Sequence, residues 1–311
     1  MPAAMLFARA APVINAIGMP ARYGRIVAVR LLSVQSEVAY GHVGNSAAVF
    51  PLQRLGVEVV AVPTVLFSNH TGYGSWRGLR LAPEQVADVL LGVEERGAFA
   101  DLDVVLSGYL GDAGTALVVA DAVRRVKAAS PGAVYACDPV MGNAAAGLFV
   151  APAIPELLRA EVVPLADLIT PNAFELGLLT GTEPTTLPEL LDAADLARAL
   201  GPSTVLVTSV ARAEGDPETV EMLAVDAAGA WLVGTPRLPR SFGGTGDVTA
   251  ALFTAHLRTS GDAAGALART ASSVFDLIEL TVRAGDGELR IVDAQERYGR
   301  PRLQFAVRRV R

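Results

Sequence analysis

Short, solidly apolar runs that each stop at a polar or glycine turn constrain this chain most. They are Ile26 to Val34, Val57 to Val65, Val104 to Gly108, Val134 to Asp138, Leu168 to Thr170 and Val205 to Thr208. Helix-compatible sequence separates them: from Asn45 or Ser46 to Gly56, from Pro83 to Arg96, and over 112–129, 152–161 and 188–200. Apolar runs without polar alternation suit strands buried on both faces. Strands alternating with helices predict a mostly parallel central sheet covered on both sides, a three-layer α/β/α fold. No internal repeat or low-complexity linker divides the chain, so one domain is expected over 26–295.

Composition narrows the function. The chain has 311 residues and net charge −6; residues 1–25 carry +3 and 296–311 carry +5, which leaves −14 on the body. An acidic body argues against nucleic acid as a partner. No apolar run is long enough to span a bilayer, so no membrane partner is expected. One cysteine, Cys137, excludes an internal disulfide framework and fits a reducing, cytoplasmic setting. His42, His70 and His256 lie far apart and make no metal-ligand spacing. Residues 1–25, interrupted by Pro12, Asn15 and Pro20, read as disordered or as an over-extended start, with Val29 near the true beginning. The arginine-rich segment 296–311 reads as a solvated basic tail.

Lys127 is the only lysine, in Ala120-Asp121-Ala122-Val123-Arg124-Arg125-Val126-Lys127 on the charged face of a predicted helix. No Gly-x-x-x-x-Gly-Lys-Ser/Thr loop and no protein-kinase signature occurs. Any phosphate bound by this chain must meet backbone N–H groups, arginine or a metal.

Gly243-Gly244-Thr245-Gly246-Asp247 offers such N–H groups. The apolar run from Val248 to Leu257 follows it and reads as a helix. A glycine turn entering a helix leaves unpaired amides aimed at one spot, which attracts anions. Asp247 at the helix mouth is placed to take a proton from a hydroxyl facing a bound phosphate. Aspartate is also a common helix cap, so the turn needs support from elsewhere.

Ligands of open α/β sheets bind at the carboxyl ends of the strands. Ser36, Tyr109, Asp138 and Thr170 are expected there. Glu175 follows in Thr170-Pro171-Asn172-Ala173-Phe174-Glu175, in a first-turn position that also suits plain helix stabilisation. Asp138 and Glu175 together suit Mg²⁺, held in part through water. The loop from Phe67 to Trp76, polar, aromatic and rich in glycine, reads as a lid over a flat ring.

Six motifs in order give a resemblance to the pyridoxal kinases. They are Ser33-Val34-Gln35-Ser36, Tyr40-Gly41-His42-Val43-Gly44-Asn45-Ser46, Phe67-Ser68-Asn69-His70-Thr71, Leu106-Ser107-Gly108-Tyr109-Leu110-Gly111, Cys137-Asp138-Pro139-Val140-Met141-Gly142 and Thr170-Pro171-Asn172-Ala173-Phe174-Glu175-Leu176. Gly244-Thr245-Gly246-Asp247 is similar to the Gly-x-Gly-Asp motif of the wider ribokinase-like superfamily. The resemblance runs from about Arg30 to about Gln295. It implies a ribokinase-like fold, a homodimer, and Mg²⁺- and ATP-dependent phosphorylation of the 5′-hydroxyl of pyridoxal. It further implies Asp247 as catalytic base, with the Gly244–Gly246 turn as anion hole. Ser36, Thr71, Gly72, Tyr109 and Asp247 would then contact the vitamin. Asp138, Thr170, Glu175, Thr208, Thr235, Pro236, Arg237 and Leu238 would lie on the ATP side, with Asp138 and Glu175 toward the metal.

Three positions depart from the pattern. Glu37 stands where the family usually has histidine, Thr208 where many relatives place a lysine near the ATP phosphates, and Leu148 where some carry cysteine. The missing cation leaves Mg²⁺, backbone amides, and Arg212 or Arg237 to neutralise phosphate charge. Two other readings stay open: a kinase of the pyrimidine precursor of thiamin, and a catalytically weakened B6-binding protein.

Overall fold

The computed structural model describes residues 28–311; the strand start at Ile26 and the segment 1–25 lie outside the described residues. The elements run β1 (Arg30–Val38), α1 (Asn45–Arg54), β2 (Glu58–Phe67), β3 (Gly78–Arg80), α2 (Pro83–Glu95), β4 (Val104–Ser107) and α3 (Ala113–Ala129). They continue with β5 (Val134–Cys137), the small hairpin β6 (Gly142–Asn143) and β7 (Gly147–Leu148), α4 (Ile154–Leu157), β8 (Leu168–Ile169), α5 (Ala173–Thr180) and α6 (Leu187–Ala199). The last part holds β9 (Thr204–Val210), β10 (Thr219–Asp226), β11 (Gly229–Pro236), α7 (Thr245–Ser260), α8 (Ala263–Ala284), α9 (Gln295–Gly299) and β12 (Arg308–Arg309).

The sheet order is β12-β11-β10-β9-β8-β5-β4-β1-β2-β3. The central strands from β2 to β9 pair in parallel, as the apolar runs predict. Successive residues alternate between two cores. Leu32, Val34, Val105, Tyr135 and Val205 pack with α2, α3, α5 and α6. Leu31, Val104, Leu106, Ala136 and Leu206 pack with α1, α7 and α8. This period-2 division of one strand between two apolar layers makes the three-layer architecture.

Three expectations need correction. The first strand runs on to Val38 rather than ending at Val34, because its buried polar groups find partners. Ser33 Oγ donates to Asn45 Oδ1 at 2.7 Å, and Gln35 Nε2 donates to Ser33 Oγ at 2.8 Å. The stretch 219–236, left without elements by the sequence reading, is the antiparallel hairpin β10–β11. The basic segment 296–311 is largely exposed, as expected of a solvated end, but it is tied down: Arg308 and Arg309 pair with β11, and Phe305 packs edge-on against Phe275. Arg297, Arg302 and Arg311 pair with acids. Arg302 Nη2 donates to Asp276 Oδ1 at 2.7 Å, and Arg311 Nη2 donates to Asp195 Oδ1 at 2.9 Å.

Lys127 sits at the amino end of the sheet, away from the cleft. Its Nζ donates to the Leu165 carbonyl at 2.8 Å and pairs with Asp167 at 2.8 Å.

Candidate active site

Asp138 and Thr170 follow directly behind β5 and β8, Tyr109 comes one residue later behind β4, and Ser36 lies near the end of β1. These strands are neighbours in the sheet, so the four positions line one edge, as expected.

The glycine turn is locked to the loop after β1. Gly244 caps α7 with φ 83°, a left-handed conformation that favours glycine. A Cβ there would stand 1.8 Å from the His42 carbonyl oxygen. Gly44, φ 53°, repeats the device from the other side: a Cβ would stand 2.1 Å from the Ser36 carbonyl oxygen and 2.3 Å from its Oγ. Gly44, not Asn45 or Ser46, therefore occupies the position before α1. Asn45 is buried and tied to Ser33, while Ser46 Oγ bridges the Val38 amide and carbonyl at 3.0 and 2.8 Å.

Asp247 lies in the first turn of α7 and is partly open to solvent. Desolvation of its carboxyl raises its pKa, while the backbone N–H groups of Gly44 and of Asp247 itself oppose the rise. The loop after β1 thus touches the proposed base directly.

Asp138 and Glu175 are both buried. Burial pushes Asp138 well above the ordinary carboxylate range, and the Glu175 and Asp247 charges push it further. Burial likewise raises Glu175 to about 7. Glu175 is also a structural clamp. Its Oε1 accepts from the Met141 and Gly142 amides at 2.8 and 3.2 Å, and Oε2 accepts from the Asn172 amide at 2.9 Å. Asn172 Oδ1 accepts in return from the Glu175 amide at 3.0 Å, which completes a capping box on α5. Thr170 is buried beside Asp138, and its hydroxyl has no hydrogen-bond partner among the described residues.

This donor set fits a cation. Acidic groups within electrostatic range of one another are expensive to bury without a positive partner. An orphaned hydroxyl adds a further oxygen. Among the described residues no three His, Cys, Asp or Glu side chains converge as a metal centre, so a cation here would keep water ligands.

Thr71 and Gly72 lie in an exposed single turn, Thr71–Tyr73. His70 precedes it and reaches the glycine turn: its Nε2 is 3.3 Å from where a Gly243 Cβ would be. Tyr109 packs on Val38, Val65 and Phe67, a small apolar cluster under the lid.

On the other side, Thr208 adjoins α5 through a bridge to Asn172, with its amide donating to the Pro171 carbonyl at 2.9 Å. Thr235, Pro236, Arg237 and Leu238 end β11 and lead toward the glycine turn. The arginines offered as substitutes for the missing lysine are otherwise engaged. Arg212 forks onto Glu221 at 2.6 and 2.9 Å and onto Glu214 at 2.8 Å. Arg237 Nε donates to the Pro217 carbonyl at 2.8 Å.

The sequence reading missed Glu288. It accepts hydrogen bonds from His42, His70 and Tyr73, more than 200 positions away, so no local pattern points to it.

Comparison with known proteins fits this geometry. A family model described as phosphomethylpyrimidine kinase matches residues 54–291. A pyridoxal kinase PdxY of Leifsonia xyli is 64% identical over 91% of this chain and 100% of its own length. One from Corynebacterium diphtheriae is 57% identical with the same coverage of both chains. The solved pyridoxal kinase of Leishmania donovani in complex with ADP and pyridoxamine superposes with a TM-score of 0.84 at 31% identity, covering 91% of this chain and 99% of that one. The chain belongs to the pyridoxal kinase family and has its ribokinase-like fold.

Proposed function

We propose that this chain transfers the γ-phosphoryl group of ATP to the 5′-hydroxyl of pyridoxal, yielding pyridoxal 5′-phosphate. The observation that carries the reading is the junction of the Gly44 amide, the Gly244 turn and the Asp247 carboxyl at the mouth of α7. The amides of the turn hold the transferring phosphoryl group, and the helix N-terminus favours its negative charge. Asp247 accepts the hydroxyl proton as the oxygen attacks; its raised pKa makes it a stronger base than an exposed aspartate. Tyr109 and the lid residues Thr71 and Gly72 enclose the ring, and Ser36 holds its polar edge. Asp138, Thr170 and Glu175 face the nucleotide with Thr208 and the 235–238 segment.

Asp138 would hold Mg²⁺ directly and Glu175 through water, since the Glu175 oxygens already serve backbone amides. When bound, the ion would neutralise phosphate charge.

We further propose a cytoplasmic homodimer. One sheet edge, β3, is unpaired among the described residues and carries Leu79, 63% exposed. None of the described helices is long and apolar enough to cross a membrane.

The family model's description keeps the thiamin-precursor reading in view, while the identity to pyridoxal kinases favours the vitamin. ADP release measured with pyridoxal, pyridoxamine, pyridoxine and hydroxymethylpyrimidine, one at a time, separates these readings. Asp247→Asn should lower kcat with pyridoxal by about 100-fold or more and leave ATP affinity unchanged. Near-normal turnover would remove Asp247 from the role of base. Vitamin binding by the wild type without ADP release would mark the weakened binding protein.

A further inference from the structure

Glu288 lies between α8 and α9, outside every cleft motif. Its side chain is only 14% exposed. Two separate loops converge on its carboxylate. The His42 amide, from the loop after β1, donates to Oε2 at 3.0 Å. From the lid, Tyr73 OH donates to Oε1 at 2.6 Å and His70 Nε2 meets the same oxygen at 3.1 Å. A carboxylate only accepts, so His70 carries its proton on Nε2 and, when neutral, keeps Nδ1 as an acceptor. The ring packs on Tyr73 with centroids 4.7 Å apart. Gly72 leaves room for it: a Cβ there would stand 2.8 Å from His70 Nδ1.

Both loops also abut the glycine turn. His42 lies against Gly244 and His70 against Gly243. Gly41, φ 87°, admits the carboxylate, since a Cβ would meet Glu288 Oε2 at 2.5 Å. One side chain therefore fastens the lid to the loop after β1 and holds both against the α7 N-terminus. Charge-assisted hydrogen bonds of this kind are the strong ones.

We propose that Glu288 is a positioning residue that latches the lid 68–76 over the glycine turn, so that vitamin affinity and exclusion of water from the phosphoryl group depend on it. The proposal rests on the kinase reading above. An unlatched lid admits water to the place of the 5′-hydroxyl. The bond from the γ-phosphorus to the β,γ-bridging oxygen then breaks while one to the water oxygen forms. ADP and inorganic phosphate leave, and the water proton goes to solvent.

The test compares wild type with Glu288→Ala, Glu288→Gln and Tyr73→Phe. Tyr73 is exposed on the lid, so its variant keeps the fold. Glu288→Ala should raise KM for pyridoxal about tenfold or more, as expected for losing hydrogen bonds to a charged group. KM for ATP should stay within about twofold, and ADP released per pyridoxal phosphate formed should rise above one. Glu288→Gln should recover part of the loss, and Tyr73→Phe should move KM in the same direction by less. Acrylamide quenching of Trp76, read in a Trp231→Phe background, should increase in Glu288→Ala whatever the turnover. Unchanged quenching, or a KM for ATP that rises as much as that for pyridoxal with one-to-one stoichiometry, would overturn the latch. Failure of the kinase reading would appear in the wild type itself, whereas failure of the latch appears only in the variants.

Discussion

Replacing Gly246 by alanine separates the proposed phosphate-binding role of the glycine turn from its folding role. Gly244 and Gly246 flank Thr245, and their surroundings differ. A Cβ at Gly246 would meet nothing within 4 Å, and its φ is not positive. Alanine inside a helix is favoured over glycine by about 0.5–1 kcal/mol, so Gly246→Ala should melt at or slightly above wild type. If a phosphate oxygen approaches that amide, the new methyl group displaces it. A misplacement of about 1 Å in the reacting geometry costs roughly 100-fold in rate. Gly246→Ala should therefore stay stable and lose most of its turnover. Gly244→Ala is the contrasting case. Its left-handed φ of 83° costs alanine roughly 1–2 kcal/mol. The 1.8 Å approach to the His42 carbonyl forces the loop after β1 to retreat as well. That variant should lose both stability and turnover. Thermal melts and a coupled ADP-release assay on both proteins decide the matter. A Gly246→Ala enzyme within threefold of wild-type kcat would show that phosphate does not lie against this amide. A Gly244→Ala melt equal to wild type would contradict the close packing.

Thr208→Lys should tighten ATP binding about fivefold, roughly 1 kcal/mol for one partly solvated contact; calorimetry with and without Mg²⁺ checks it, and unchanged affinity in a folded variant would turn position 208 away from the phosphates. Arg302→Ala removes a main partner of Asp276, whose side chain is 2% exposed, and should lower the urea midpoint measurably, though Arg297 and Gln304 remain to hold that carboxylate; an unchanged midpoint would contradict it. Glu175, ordinarily at 4.5, is held at about 7 by burial. The folded, metal-free protein therefore keeps a proton that the unfolded chain releases. This contribution to stability is full below pH 4.5 and is lost as pH rises through about 7, amounting to up to ~3 kcal/mol. Urea melts at pH 5 and 7.5 should show the drop, Glu175→Gln should reduce it while the raised Asp138 keeps part of it, and a flat wild-type profile would contradict it.

The parallel core was legible because strands buried on both faces must be apolar throughout, as in Val104-Val105-Leu106. The β10–β11 hairpin was not. Thr219, Glu221 and Thr235 interrupt its apolar pattern, and its register depends on pairing across the turn at Gly229. The C-terminal segment was judged by its charge alone. Nothing local reveals that Asp276, buried on α8, waits for Arg302 and Gln304. The cleft residues were readable because each lies at or just beyond the carboxyl end of a strand. Glu288 was not, since its partners sit in the loops after β1 and β2 and meet it only once α8 has packed on α7 and α7 on α1. Arg212 was misjudged for the same reason: its fork onto Glu221 comes from the pairing of β9 with β10.

The single lysine has a chemical consequence. An aldehyde such as pyridoxal condenses with amines to form imines. A guanidinium, which stays protonated, is a poor partner for that reaction. The chain carries its basic charge almost wholly as arginine, and its one side-chain amine is engaged by Asp167 and the Leu165 carbonyl at the far end of the sheet. An enzyme built this way can hold a reactive carbonyl in its cleft, and release one beside its own surface, with little risk of being modified by it.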